Sequence, residues 1–340
     1  MISKRSNIYT LPLILLAAFV FTAFSQHPDA GTTVFPFLNM SYDARSVAMG
    51  GAAVAMPNDI YGVLSNPAAI GYVQRQQIMG GYRQVMLGVW GGPVGISLPT
   101  SLWDNIVFAP HVLTLTSGAF DVVDEFGTET GQRAASTYTA LGVSAAKKLK
   151  HNVSAGVTIR GLYHYIGVGD ESYSAEGLAL DIGAQYRTNN NRQIYGIAIR
   201  NIGFMRGYWN DWNEYPMPYG IEMGVSHSPR HIPNLRLALD VNKFDGDYMN
   251  FEPAFEYTVF KDILYLRGGY NFSTMDFGKA LEVFRGERDE TYKKSSINSI
   301  SLGVGVAAVM DNVGMKFDTA IQFYSDITSP AVVISLLVAF

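Results

Sequence analysis

Leu178-Ala179-Leu180-Asp181-Ile182-Gly183-Ala184-Gln185-Tyr186-Arg187 sets apolar residues against small or polar ones at every second position. Successive side chains of a strand point to opposite faces, so this run makes a strand with one apolar and one polar face. The same alternation returns around Ile221-Met223-Val225 with Glu222, and around Leu235-Leu237-Leu239 with Arg236 and Asp240. It returns again around Phe251-Phe255-Tyr257 with Glu252 and Glu256, Leu264-Leu266 with Arg267, and Met315-Phe317-Ile321 with Lys316 and Asp318. An all-β chain is expected, with charges of both signs in mid-strand on the polar face.

Alternation alone does not say what the apolar face meets. A secreted β-sandwich buries it against a second sheet; a membrane barrel turns it to lipid. Lys4 and Arg5, then the apolar stretch from Leu11 to Phe24 and the small Ala23 and Ser25, read as a signal peptide over residues 1–25. The chain is therefore expected outside the cytoplasm. Charged residues are 16% of the 340, against roughly 25% in a soluble domain. Mean hydropathy is +0.09, too low for a bundle of membrane helices. There is no cysteine, so disulfides and thiolate metal sites are excluded. A net charge of −4 gives no pointer to nucleic acid.

Strands are expected near 74–81, 85–98, 103–115, 135–149, 152–166, 176–188 and 192–203. The other seven fall near 217–228, 233–243, 249–260, 262–273, 296–309, 313–324 and 330–340. Many are long enough to cross a bilayer at a tilt. Tight connections at 148–151, 188–191, 260–262 and 311–312 largely alternate with long ones at 117–134, 204–216 and 273–295. That rhythm, with an even strand number, is expected of an outer-membrane barrel over residues 74–340. Tyr208, Trp209, Trp212 and Tyr215 in one long loop suit a membrane interface. The last strand ends on Phe340, which resembles the signal read by the barrel assembly machinery.

Residues 26–73 lack the alternation and are rich in Ala and Gly, reading as short helical turns in close packing, with Asn66-Pro67 as a turn. Three pieces here carry a resemblance: Phe35-Pro36-Phe37-Leu38, Ala44-Arg45 through Ala48-Met49-Gly50-Gly51-Ala52, and Asn66-Pro67-Ala68-Ala69. In this order they resemble the PorV/PorQ family of the wider FadL-like outer-membrane barrels. Asp181-Ile182-Gly183, Asn201-Ile202-Gly203 and Arg267-Gly268-Gly269-Tyr270 also fit.

The resemblance implies a fourteen-stranded barrel with residues 26–73 as a hatch in or below its lumen. Its motif is carried by Arg45, Gly50, Gly51, Asn66, Pro67 and Ala68. It implies work in type IX secretion, with attachment-complex proteins and cargo C-terminal domains as partners beside outer-membrane lipid. Other FadL-like barrels carry hydrophobic small molecules inward, which is the rival expectation.

Patterns of catalysis are weak. Gly303-Val-Gly305 lacks the third glycine of a dinucleotide loop and is read as permitting strand curvature. His227 and His231 flank a turn without metal spacing, and Asp245-Gly246-Asp247 reads as a turn. No enzyme, cofactor or metal is expected. Asp181, Arg187, Arg200, Glu222, Arg236, Asp240, Glu252, Glu256, Arg267, Lys316 and Asp318, with Arg160, are expected to face the lumen as a cross-strand ion-pair network. Glu252 and Glu256 are expected to pair with Arg236 or Arg267.

Overall fold

The computed structural model describes residues 33–56, 59–86, 88–101, 105–207, 216–245, 247, 249–260, 263–273, 298–325 and 329–340. The expected signal peptide, the aromatic loop residues from Tyr208 to Tyr215 and nearly all of the 273–295 loop lie outside them.

Fourteen antiparallel strands close into a barrel. They are β1 (Gln77–Met86), β2 (Val89–Pro99), β3 (Ile106–Val123), β4 (Glu129–Lys148), β5 (Val153–Val168), β6 (Glu171–Arg187) and β7 (Gln193–Gly207). The second half comprises β8 (Gly220–His227), β9 (Leu235–Phe244), β10 (Met249–Val259), β11 (Leu264–Ser273), β12 (Ser299–Met310), β13 (Val313–Tyr324) and β14 (Ala331–Ala339). Each strand pairs with its sequence neighbours, and β14 returns to β1 in the register Gln77↔Ala339 through Gln84↔Val332. The Phe340 amide donates to the Gln76 carbonyl at 3.0 Å, fastening the last residue to the start of the first strand. Closure satisfies the backbone groups that an open sheet would leave bare in lipid.

The alternation falls as the sequence requires. In β6, Leu178, Ile182 and Tyr186 face out, while Ala179, Asp181 and Gln185 are buried inside. Leu141, Ile159 and Leu302 are 62%, 60% and 55% exposed on the outer wall, within a belt of aliphatic residues running around the barrel. An apolar patch of that extent has no place in water and marks the face that meets lipid. Outward aromatics border it, with Tyr82 stacked on Trp90 near one rim and Tyr186 on Tyr195 near the other.

Two expectations are corrected. The first hairpin does not turn after residue 81: Tyr82, Arg83 and Gln84 continue β1, and the chain reverses beyond Met86. Residues 117–134 are not a long loop. β3 and β4 run on through them, pairing Phe120 with Ala134 and Asp121 with Arg133, to a short turn after Val123. This stretch stands beyond the apolar belt, so no lipid face imposes alternation on it.

The belt predicts the effect of a charge in it. Leu302→Arg, at an outward position of β12, is expected to lower unfolding stability in lipid vesicles by about 2–4 kcal/mol. Urea titration monitored by heat-modifiable gel migration measures this.

Candidate functional site

The first described residues do not lie outside the wall. Residues 33–56 and 59–73 occupy the lumen as a hatch. It comprises a 3-10 turn at Pro36–Asn39, a short helix α1 (Ala44–Ala48), and 3-10 turns at Ile60–Leu64 and Pro67–Tyr72. Asp43 caps α1 by accepting from the Ser46 amide at 2.9 Å, and Asn66 caps the last turn by accepting from the Ala68 amide at 3.0 Å. Burial raises the pKa of Asp43, while the bond from Ser46 works the other way.

The motif residues are those that meet the wall. Arg45 of α1 forms a two-pronged pair with Glu256 of β10, Nη2 to Oε1 at 2.7 Å and Nε to Oε2 at 2.9 Å. Burial opposes the charge of Arg45, and the carboxylates of Glu256, Asp59 and Asp318 together outweigh it, so its pKa is raised. Glu256 also accepts from Arg267 Nε at 2.7 Å. Arg267 reaches Asp318 at 2.7 Å, and Lys316 lies 3.4 Å from Asp318. One chain of charges thus joins the hatch to β10, β11 and β13.

A second group sits across the lumen. Arg160 forms an ion pair with Asp181 at 2.6 Å and donates to the hatch carbonyl of Val63 at 3.0 Å. Arg200 pairs with Glu222 at 2.8 Å and donates to the Leu38 carbonyl at 2.7 Å. Asp240 takes the amides of Ala53 and Val54 at 2.7 and 2.8 Å. On β1, Arg83 donates to the Ser41 carbonyl and, at 2.9 Å, to Gln322.

The expected pairing of Glu252 with an arginine is corrected. Glu252 accepts from Asn242 at 2.9 Å and Asn271 at 2.8 Å, because Arg267 is turned to Glu256 and Asp318. Arg236 donates to Ser226, and Arg187 donates to Gln185 and lies over the Tyr72 ring at 3.9 Å.

Small residues set how close the hatch sits. Gly51 has φ +110, and a Cβ there would fall 2.4 Å from Glu252 Oε1. On the wall, a Cβ at Gly183 would fall 2.1 Å from Asn66 Oδ1, and one at Gly269 2.2 Å from the Met49 carbonyl carbon. The curvature reading of Gly303 is likewise replaced: a Cβ there would meet Ala48 of α1 at 2.4 Å. Wall glycines lie at inward positions in these runs, a signal that alternation by itself does not read. Asn66 is fully buried, its Nδ2 donating to the carbonyls of Val54 at 3.0 Å and Ala184 at 3.1 Å. Pro67 and Ala68 follow it into a slot where a Cβ at Gly156 would lie 2.5 Å from Pro67.

In the half of the lumen away from the chain termini, apolar side chains gather on one arc, with Arg83, His111 and His164 among them. Val85, Val89, Leu113, Leu115, Ala140 and Leu162 give β1–β5 an apolar inner face. Ala175, Ala179 and Met205 continue it onto β6 and β7. Phe35, Phe37 and Leu38 of the hatch pack on this arc. Phe37 lies 5.1 Å from Tyr138, whose ring stacks on His164 at 3.6 Å. The facing arc of β8–β14 carries Glu222, Asn242, Glu252, Asn271, Ser301 and Gln322 instead. Among the described residues, no cluster of histidine and carboxylate side chains is arranged to hold a metal.

No family model matches the chain. No curated protein matches it either. Solved structures do. The toluene transporter TodX of Pseudomonas putida is 10% identical, with 88% of this chain and 97% of that one covered, at a TM-score of 0.60. A FadL homologue of Pseudomonas aeruginosa is 12% identical, with 92% and 99% covered, at 0.60. The toluene transporter TbuX of Ralstonia pickettii is 13% identical, with 89% and 98% covered, at 0.58. At these identities the likeness is one of fold. That fold and the lipid-facing belt make this an outer-membrane β-barrel of bacterial type.

Glu256 joins hatch to wall, so its loss is expected to be felt across the molecule. Glu256→Ala leaves Arg45 and Arg267 without their shared carboxylate and is expected to cost about 3–5 kcal/mol of stability. The shift in thermal midpoint of heat-modifiable migration in detergent measures it.

Proposed function

We propose that the protein is a non-enzymatic conduit for uncharged hydrophobic small molecules across the outer membrane. The observation that carries this reading is the apolar arc inside the outer half of the lumen. A barrel that passes ions or sugars lines its lumen with polar groups. Here Leu113, Leu115, Leu162 and Met205 turn apolar surface inward, where a hydrophobic solute would lose its water. Methionine adapts to solutes of varied shape.

The hatch is held unevenly, which gives such a solute a way in. Residues 41–56 are pinned by ion pairs and buried hydrogen bonds, whereas Phe35 and Phe37 rest on the arc by packing. Among the described residues, the polar ties of residues 33–39 are Val34 to the Pro216 carbonyl, Leu38 to Arg200 and Asn39 to Asn201. A solute that displaces the two rings takes over their apolar contacts. The β1–β2 seam nearby is weakly laddered: no paired residues lie between Gly80↔Val94 and Arg83↔Gly91, and Pro93 has no amide to donate. The wall is in contact there, since a Cβ at Gly92 would fall 2.0 Å from the Gly81 carbonyl oxygen. Passage into the bilayer at this seam requires it to part.

A second reading is a receptor-like role in type IX secretion or surface attachment of cargo. It is favoured by the PorV/PorQ-like opening, whose Arg45 and Asn66-Pro67 are the residues locked to the wall. It is favoured too by the β3–β4 hairpin, which carries an 84% exposed Phe126 beyond the belt and offers an arm for a protein partner.

One deletion strain tests both. Conduction of hydrophobic solutes predicts a several-fold fall in initial uptake of a labelled hydrocarbon, restored by the wild-type gene and not by Leu113→Glu. Unchanged uptake overturns it. Loss of cargo bearing C-terminal secretion domains from the cell surface, with uptake unchanged, selects the second reading.

A further inference from the structure

One residue breaks the alternation that builds β7. Ile197 and Ile199 face out, and Ala198 and Arg200 face in. Strict alternation would turn Asn201 out. It faces in instead, fully buried, and Ile202 and Phe204 resume the outward series. The ladder to β6 slips here, from Leu180↔Ile202 to Ile182↔Ile199, so Asp181 stands opposite two residues. This β-bulge turns two successive polar side chains, Arg200 and Asn201, into the lumen. Asp181 holds it by accepting the Asn201 amide at 2.8 Å.

The bulge meets one part of the hatch. Arg200 donates to the Leu38 carbonyl at 2.7 Å, and Asn201 Nδ2 donates to Asn39 Oδ1 at 3.0 Å. The same Nδ2 donates to the Pro218 carbonyl at 3.1 Å, and the Val34 amide donates to the Pro216 carbonyl at 3.1 Å. Among the described residues, every hydrogen bond from residues 33–39 to the wall thus runs to this bulge or to the segment 216–218 that it also holds. Residues 41–56 have separate anchors, to Arg83, Asp240 and Glu256.

Backbone conformation singles out the same contact. Seven non-glycine residues among those described have left-handed backbone, and five of them lie in turns between strands. The other two are Asn201 at φ +57 and Phe35 at φ +53. Asparagine tolerates that region; a bulky aromatic adopts it where its surroundings hold it there. Phe35 caps the 3-10 turn that ends at Asn39, so the bonds at Leu38 and Asn39 hold the strained turn from its far end.

We propose that Asn201 is the positioning residue of a gate: its bulge latches residues 33–39 shut, and its release frees Phe35 and Phe37 while the rest of the hatch stays in place. The effect on solutes rests on the conduit reading; the latch itself does not. Opening relieves the Phe35 backbone, so the strain works against the latch and the segment is poised between two states.

Hydrogen exchange read by mass spectrometry, on the full chain in detergent, tests the latch. Asn201→Gly puts a residue that accepts left-handed backbone at the bulge and removes the side-chain donor. It is expected to speed exchange of residues 34–40 roughly tenfold, because local opening then breaks fewer buried hydrogen bonds, and to leave residues 46–54 unchanged. Asn39→Ala removes the same bond from the hatch side without altering the wall, and is expected to act in the same direction. It keeps the test valid if Asn201→Gly loses heat-modifiable migration. In cells, the fluorescent hydrophobic probe N-phenylnaphthylamine is expected to enter several-fold faster through Asn201→Gly than through the wild type. Unchanged exchange of residues 34–40 in both variants overturns the inference. So does an equal rise across residues 34–54, which is a general loosening of the hatch. If the wild type admits more probe than a strain lacking the gene, faster exchange without faster entry overturns the gate. If the wild type admits no more, conduction fails, and faster exchange confined to residues 34–40 upholds the latch alone.

Discussion

Glu256 is the point on which the interior depends. One carboxylate holds Arg45 of the hatch and Arg267 of the wall, and through Arg267 it reaches Asp318 and Lys316. Charges removed from water are stable only when paired and hydrogen-bonded, and the attraction seldom exceeds the desolvation cost by much. The ion chain therefore does less for net stability than for specificity. It fixes where the hatch sits and in what orientation, since any other seating would strand buried charges. A lipid-facing exterior has the opposite logic: it is non-directional and specifies which face is out.

That difference explains what was legible in the sequence. The period-two runs of β6, β9 and β13 exposed the barrel because lipid demands an apolar residue at every outward position. The last strand is apolar on both faces, yet its inward Val333 and Ser335 meet α1, by packing and by accepting the Ala44 amide. Residues 117–134 carry no such signal because they stand above the belt, where ladder hydrogen bonds persist without an apolar face. The partner of Glu252 was not readable either. Register places it opposite Asp240, and the choice of Asn242 and Asn271 follows from Arg267 being engaged elsewhere. The glycines opposite the hatch carry no sequence mark beyond their inward phase.

The lumen joins two chemistries that are normally kept apart. Polar ties lock the hatch around the wall, and the arc of β1–β7 adds an apolar surface covered by Phe35, Phe37 and Leu38. A plug whose one purpose was closure would need only the lock. The apolar arc gives the same plug a face that a hydrophobic solute competes for. Segments held by packing yield at lower cost than segments held by buried charge. On this account the hatch stays in the lumen during conduction, and its aromatic end moves.

Steady ion conductance through the wild-type protein in a planar bilayer tests that account most directly. A lumen filled by a hatch latched from β1 to β14 predicts a closed electrical baseline while hydrophobic solutes still pass. A large, steady open conductance would contradict it, because it would mean that the lock does not hold the hatch in the pore.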